Sequence, residues 1–139
     1  MKSLSLLLPL GCLACGEPLA PVIDAAAVPI EFSVATVDLH QPRLREVQGT
    51  TGAIILRFSF ETNNLGYQWH PFLTQLPVRD LYFSVVAEAG AGQWPTLTHY
   101  QYVATLGPLP PGRYPLTVVH RLASERRETT VFRGTVVVR

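Results

Sequence analysis

Cys12 and Cys15 are the only two cysteines of the 139-residue chain, three positions apart in CLACGEPLAP, residues 12–21. A Cys-x-x-C pair can serve as a redox dithiol when it opens a helix beside a βαβ unit, where the helix terminus lowers a thiol pKa. Here the pair sits inside a leucine-rich run with no strand before it. A zinc site would need two more ligands at short spacing. None of His40, His70, His99 and His120 lies within twenty residues of the pair. Their separations of 30, 29 and 21 residues give no local metal spacing either. They read as ordinary strand-end and loop histidines, His99 on a wet face and His120 in a core-facing phase. No serine sits in a Gly-x-Ser-x-Gly turn, and no glycine loop is built to cradle phosphate. Glu125 and Glu128 flank Arg126 and Arg127, the alternation of a solvated hairpin loop. No catalytic residue, metal or cofactor is expected.

The residues before the pair explain it differently. Met1-Lys2-Ser3 supplies a positive charge, Leu4 to Leu10 an apolar core, and Ala14 a small residue just ahead of Cys15. This is the three-part layout of a secretory signal. It is too short to span a membrane, which takes about 20 apolar residues. Lys2 is the sole lysine; the other ten basic residues are arginine. The stretch Leu13-Ala14-Cys15 resembles the lipobox of bacterial lipoproteins, with Leu10-Gly11-Cys12 as the alternative. The resemblance implies that Cys15 (or Cys12) is acylated and becomes the first residue after the signal is cut. The pattern departs at the third position before each cysteine, where Cys12 and Pro9 stand instead of an aliphatic residue. Gly16-Glu17-Pro18 after Cys15 has the texture of a tether and favours that cysteine. A plain signal peptide cut after Ala14 or Ala20 is the other reading. The expected organisation is a signal peptide at 1–14, a tether at 15–29 and one domain at 30–139, exported and lipid-anchored in the cell envelope, on the outer membrane or the outer face of the cytoplasmic membrane.

From Cys15 onward ten arginines face ten carboxylates. That balance recruits neither nucleic acid nor an acidic surface electrostatically. No further cysteine follows, so the domain must be held by its core. With 47 % apolar residues overall, one core is within reach for a domain of this length.

The elements after residue 30 alternate with a period of two. Ile54, Leu56, Phe58 and Phe60 share one face against Arg57, Ser59 and Glu61. Leu81, Phe83, Val85 and Ala87 repeat the pattern, as do Tyr100, Tyr102, Ala104 and Leu106. Tyr114, Leu116 and Val118 follow, then Phe132, Val136 and Val138. Such alternation marks strands with one buried face. In the first strand Ile30, Phe32 and Val34 hold one phase and Val37 and Leu39 the other, which predicts a bulge or a change of sheet. Glycine- and asparagine-rich breaks separate the runs, and no helical stripe with caps appears. The pattern predicts an all-β sandwich or barrel.

LGPLPPGRYPLTVVHR, residues 106–121, narrows the choice. Leu109, Pro111, Gly112 and Tyr114 fit the Leu-x-Pro-Gly-x-Tyr corner of immunoglobulin-like and fibronectin-type-III-like modules, and the stretch resembles their corner and following strand. The resemblance implies an immunoglobulin-like antiparallel β-sandwich of about seven strands, with the Tyr114 ring in the core and its hydroxyl returned to upstream backbone. Pro115 cannot donate to a ladder, so pairing is expected to start later or at an edge. No Cys-Trp-Cys core is present, which leaves the disulfide-free relatives.

YQWHPF (67–72) and QWPTLTHYQY (93–102) gather Tyr67, Trp69, Phe72, Trp94 and Tyr100. Flat rings beside polar groups suit sugars, peptides or a partner's loop, and equally plug the ends of a sandwich. The expected function is a non-catalytic interaction or structural module, anchored to a membrane and meeting another envelope or extracellular protein. The alternative is a small-ligand or carbohydrate binder built on those aromatics.

Overall fold

A computed structural model describes residues 20–62, 65–94 and 97–139; Cys12, Cys15 and the signal segment lie outside the described residues. Among these described residues eight strands form: β1 (Ile30–Val37), β2 (Arg45–Gly49), β3 (Ile54–Thr62), β4 (Leu65–Gln75), β5 (Leu81–Trp94), β6 (Thr98–Leu106), β7 (Gly112–Leu122) and β8 (Thr129–Val138). They make two four-stranded sheets, ordered β1-β6-β3-β2 and β4-β5-β7-β8. The protein is an all-β sandwich. Among the described residues the strands number eight where the resemblance implied about seven, and one neighbouring pair, β5 with β7, runs parallel among otherwise antiparallel pairings.

The alternating faces meet between the sheets. Leu56 and Phe58 of β3, Tyr102 and Ala104 of β6, Phe83 and Val85 of β5 and Leu116 and Val118 of β7 are all buried in one cluster. Burying a side chain of this kind contributes about 1.5–3 kcal/mol, so the shared inner face outweighs any local preference. The parallel ladder to β5 starts at Leu116, one residue past Pro115, whose missing N–H has nothing to donate. Toward β8, Pro115 lies opposite Thr135.

The expected bulge in β1 is absent. β1 pairs with β6 without a register shift from Ile30–Leu106 to Val37–His99. Val37 falls in the second phase because it lies on the outer face of the sheet, which another segment covers. β1 and β2 occupy opposite edges, so residues 38–44 must cross β6 and β3. They cross on the outer face: the Gln101 amide donates to the Pro42 carbonyl (3.2 Å), the Leu44 N–H donates to the Ser59 hydroxyl (2.7 Å), and Arg43 grips Glu61 through two bonds of 2.7 and 2.8 Å.

Residues 20–29, read as part of the tether, instead pack on the sandwich. Ala20 is buried in the main cluster, and Ile23, Ala25 and Val28 lie against it around a single 3-10 turn at Ala25–Ala27. The Gly107 N–H donates to the Pro29 carbonyl (3.2 Å). These apolar side chains have no period because they fill an irregular gap rather than one face of a regular element.

The β2 and β8 edges are stapled at one end. The Gly52 N–H donates to the Arg139 carbonyl (2.9 Å) and the Arg139 N–H to the Thr50 carbonyl (3.1 Å). Gly49 is required there, since a Cβ would stand 1.8 Å from the Val137 carbonyl oxygen.

Candidate functional site

The end of the sandwich where β3 and β7 finish and β4 and β6 begin carries most of the residues singled out for chemistry. Phe60 lies at its centre, buried. The Trp69 ring meets it edge-on at 5.1 Å, and Tyr100 meets Trp69 edge-on at 4.9 Å. Tyr67 closes the group, 6.0 Å from Trp69 and 6.3 Å from Tyr100. Edge-to-face contacts at such spacings are favourable for quadrupolar rings. β4 delivers Tyr67 and Trp69 inward because they share its parity. Phe72 has the opposite parity and stands 54 % exposed on the outer face, away from the group. Trp94 ends β5 opposite Leu65, and its side chain lies outside the described set. The structure thus unites Tyr67, Trp69 and Tyr100, all partly or wholly buried, and separates Phe72 from them.

Beside this aromatic group lies a polar pair that the aromatic segments did not announce. The Tyr102 hydroxyl and His120 Nε2 are 2.7 Å apart, with Tyr102 fully buried and His120 nearly so. Among the described residues the Tyr102 hydroxyl has no other hydrogen-bond partner. It must therefore donate to a bare Nε2 if its own hydrogen is to be satisfied, which places the imidazole hydrogen on Nδ1. Burial pushes His120 down to about 4 and pushes the Tyr102 phenol up. The pair is held neutral at physiological pH. Its imidazole lone pair is already engaged, so His120 is not a free general base. The ring stacks on Phe60 at 4.7 Å and borders a cleft of about 240 Å³ lined also by Ser59, Glu61, Arg121, Glu125 and Arg127.

The four histidines do not converge. His70 bonds Glu88 at 2.8 Å on the exposed face of the β4–β5 pair, His40 lies in the crossing segment, and His120 lies between the sheets. His99 overturns its expected wet setting. It is on the outer side of β6 by parity but only 1 % exposed, flanked in register by Val37 and Glu61. Neither ring nitrogen has a hydrogen-bond partner. Among the described residues no cluster of three His, Cys, Asp or Glu could hold a metal ion.

At the other end, Tyr114 is buried and its hydroxyl donates to the Pro110 carbonyl at 2.5 Å, four residues upstream. Leu109 is buried beside it, its N–H donating to the Gly52 carbonyl (2.8 Å). Gly112 opens β7 where a Cβ would strike the Pro21 ring at 2.7 Å. Pro111 lies between them in the turn leading into β7.

Comparison with protein-family models, with curated proteins and with solved structures returned no match. Among the described residues no helix is long and apolar enough to cross a membrane.

Proposed function

We propose that the protein is an exported lipoprotein, anchored through acylated Cys15, whose sandwich is a non-catalytic interaction module facing another component of the cell envelope. The sequence of the first fifteen residues supports the anchor. The observation that carries the module over the sugar-binding alternative is the inward packing of Tyr67, Trp69 and Tyr100 around Phe60. Rings engaged edge-on with one another have little face left for a sugar to stack on. The buried, hydrogen-bonded state of His120 supports the absence of acid–base chemistry at that end.

Radiolabelled palmitate should mark the wild-type chain in a bacterial host that acylates lipoproteins. Cys15→Ala should lose the label and leave the membrane fraction. A label that survives Cys15→Ala and vanishes in Cys12→Ala would move the anchor to Cys12; an unlabelled wild type would remove the lipoprotein reading altogether. With the anchor established, photo-crosslinking from the exposed Phe72 position in whole cells, compared with cells lacking the protein, identifies the partner.

A further inference from the structure

Where the anchor leaves the domain fixes which end meets the lipid. Ala20 is buried, and the segment that follows it is locked to the β4–β5 hairpin. Gln75 uses both ends of its amide, accepting from the Ile23 N–H (2.9 Å) and donating to the Pro21 carbonyl (2.9 Å). The Arg79 guanidinium donates to the Ala20 carbonyl (3.2 Å). Only residues 16–19 separate Ala20 from Cys15. Five peptide units at full stretch, roughly 3.6 Å each, reach about 18 Å. β7 alone, eleven residues at a rise of about 3.3 Å, is about 36 Å long. A domain held by so short a strap cannot turn its far end to the membrane.

The near end is dressed for that position. Val78 at the hairpin tip is 73 % exposed and Val22, beside the Gln75 clamp, 72 % exposed; Leu76, two residues before Val78 in the same tip, is exposed as well. Arg79 adopts φ 66°, a left-handed backbone that bulky residues seldom take, at the point where the turn bonds back through Arg79 N–H to the Leu76 carbonyl (2.8 Å). That conformation keeps Val78 at the tip while the Arg79 side chain secures the strap. Apolar tips flanked by an arginine suit the boundary between lipid headgroups and acyl chains.

We propose that Val22, Leu76 and Val78 form a lipid-contacting tip that seats the sandwich upright on the bilayer, with the Tyr102–His120 end directed away from it. The inference rests on acylation of Cys15. The test uses the full-length chain, processed and acylated in a bacterial host and reconstituted in vesicles of phosphatidylethanolamine and phosphatidylglycerol. Processing before Cys15 leaves no other thiol, so a nitroxide can be placed singly through Val78→Cys, Val22→Cys or, at the opposite end of β7, Arg126→Cys. Collision with oxygen relative to a water-soluble nickel complex should be several-fold higher at 78 and 22 than at 126. An acylated, vesicle-bound protein whose labels at 78 and 22 are as water-accessible as at 126 overturns the lipid tip and leaves the anchor standing. Absence of the acyl chain by mass overturns both together.

Discussion

The Tyr102 hydroxyl and His120 Nε2 meet at 2.7 Å between the two sheets, joining a central strand of one to a central strand of the other. The burial of His120 in this pair couples folding to pH. Burial lowers His120 from 6.5 to about 4. The unfolded chain therefore takes up a proton at a higher pH than the folded one. The stability tied to neutral His120 is complete above the unfolded value, falls as the pH drops from about 6.5 toward about 4, and levels off below that. Its size is on the order of 3 kcal/mol. Denaturant midpoints of wild type and His120→Phe across that range check it: the difference between them should narrow or reverse toward acid. A constant difference would show that His120 does not titrate between the two states.

His99 should behave in the opposite manner to most buried residues. Its two ring nitrogens are buried and unpaired. A buried polar group without a partner costs about 1–3 kcal/mol. His99→Met or His99→Leu removes that cost while filling the site, so the variant should melt at or above the wild-type temperature. A loss of more than about 2 kcal/mol, of the size a cavity leaves, would mean the imidazole is bonded in solution.

Tyr114→Phe retains the ring and deletes only the hydroxyl. The Pro110 carbonyl then loses its donor, and the expected cost is about 1–2 kcal/mol by equilibrium urea unfolding. Leu116→Ala in the adjoining core should cost about 2–5 kcal/mol through its cavity and calibrates the measurement. An unchanged midpoint in Tyr114→Phe alongside a large shift in Leu116→Ala would show that the hydroxyl bond adds nothing.

Trp69→Ala tests whether the aromatic group packs or binds. With Phe60 and Tyr100 edge-on to its ring, the loss should be about 3–5 kcal/mol of folding stability. Phe72→Ala, on the exposed face, should change stability by no more than about 0.5 kcal/mol. Equal, small effects from both would return Trp69 to the surface and revive the ligand-binding alternative.

The strands whose two faces differ sharply were legible in the sequence. Leu81, Phe83 and Val85 alternate with half-buried Tyr82 and Ser84, because only one side of β5 faces the core at its start. β2 was not legible, because of Arg45, Val47 and Gly49, which share its inner face, only Val47 is an apolar side chain packed against the core. β4 read as an aromatic surface segment. Pro71 lies within it, and β4 is an edge strand, where a missing N–H is tolerated. Parity within β4 then divided Trp69 from Phe72, which composition alone does not do. The Tyr102–His120 bond spans eighteen residues and two sheets, and only the fold brings them together. The same holds for His99, whose strand phase pointed outward correctly but whose 1 % exposure no local pattern in the sequence announces.

The staple at Thr50, Gly52 and Arg139 also sets a timetable. A chain delivered amino end first exposes residues 50–52 long before residue 139 arrives to bond them. β1 waits likewise for β6, since Ile30 pairs with Leu106. Contacts separated so widely in sequence make for slow folding, because a long loop must close before any bond repays it. The sheet β1-β6-β3-β2 therefore cannot close until Leu106 has emerged, while the β2–β3 and β4–β5 hairpins, adjacent in sequence, can pair before it does.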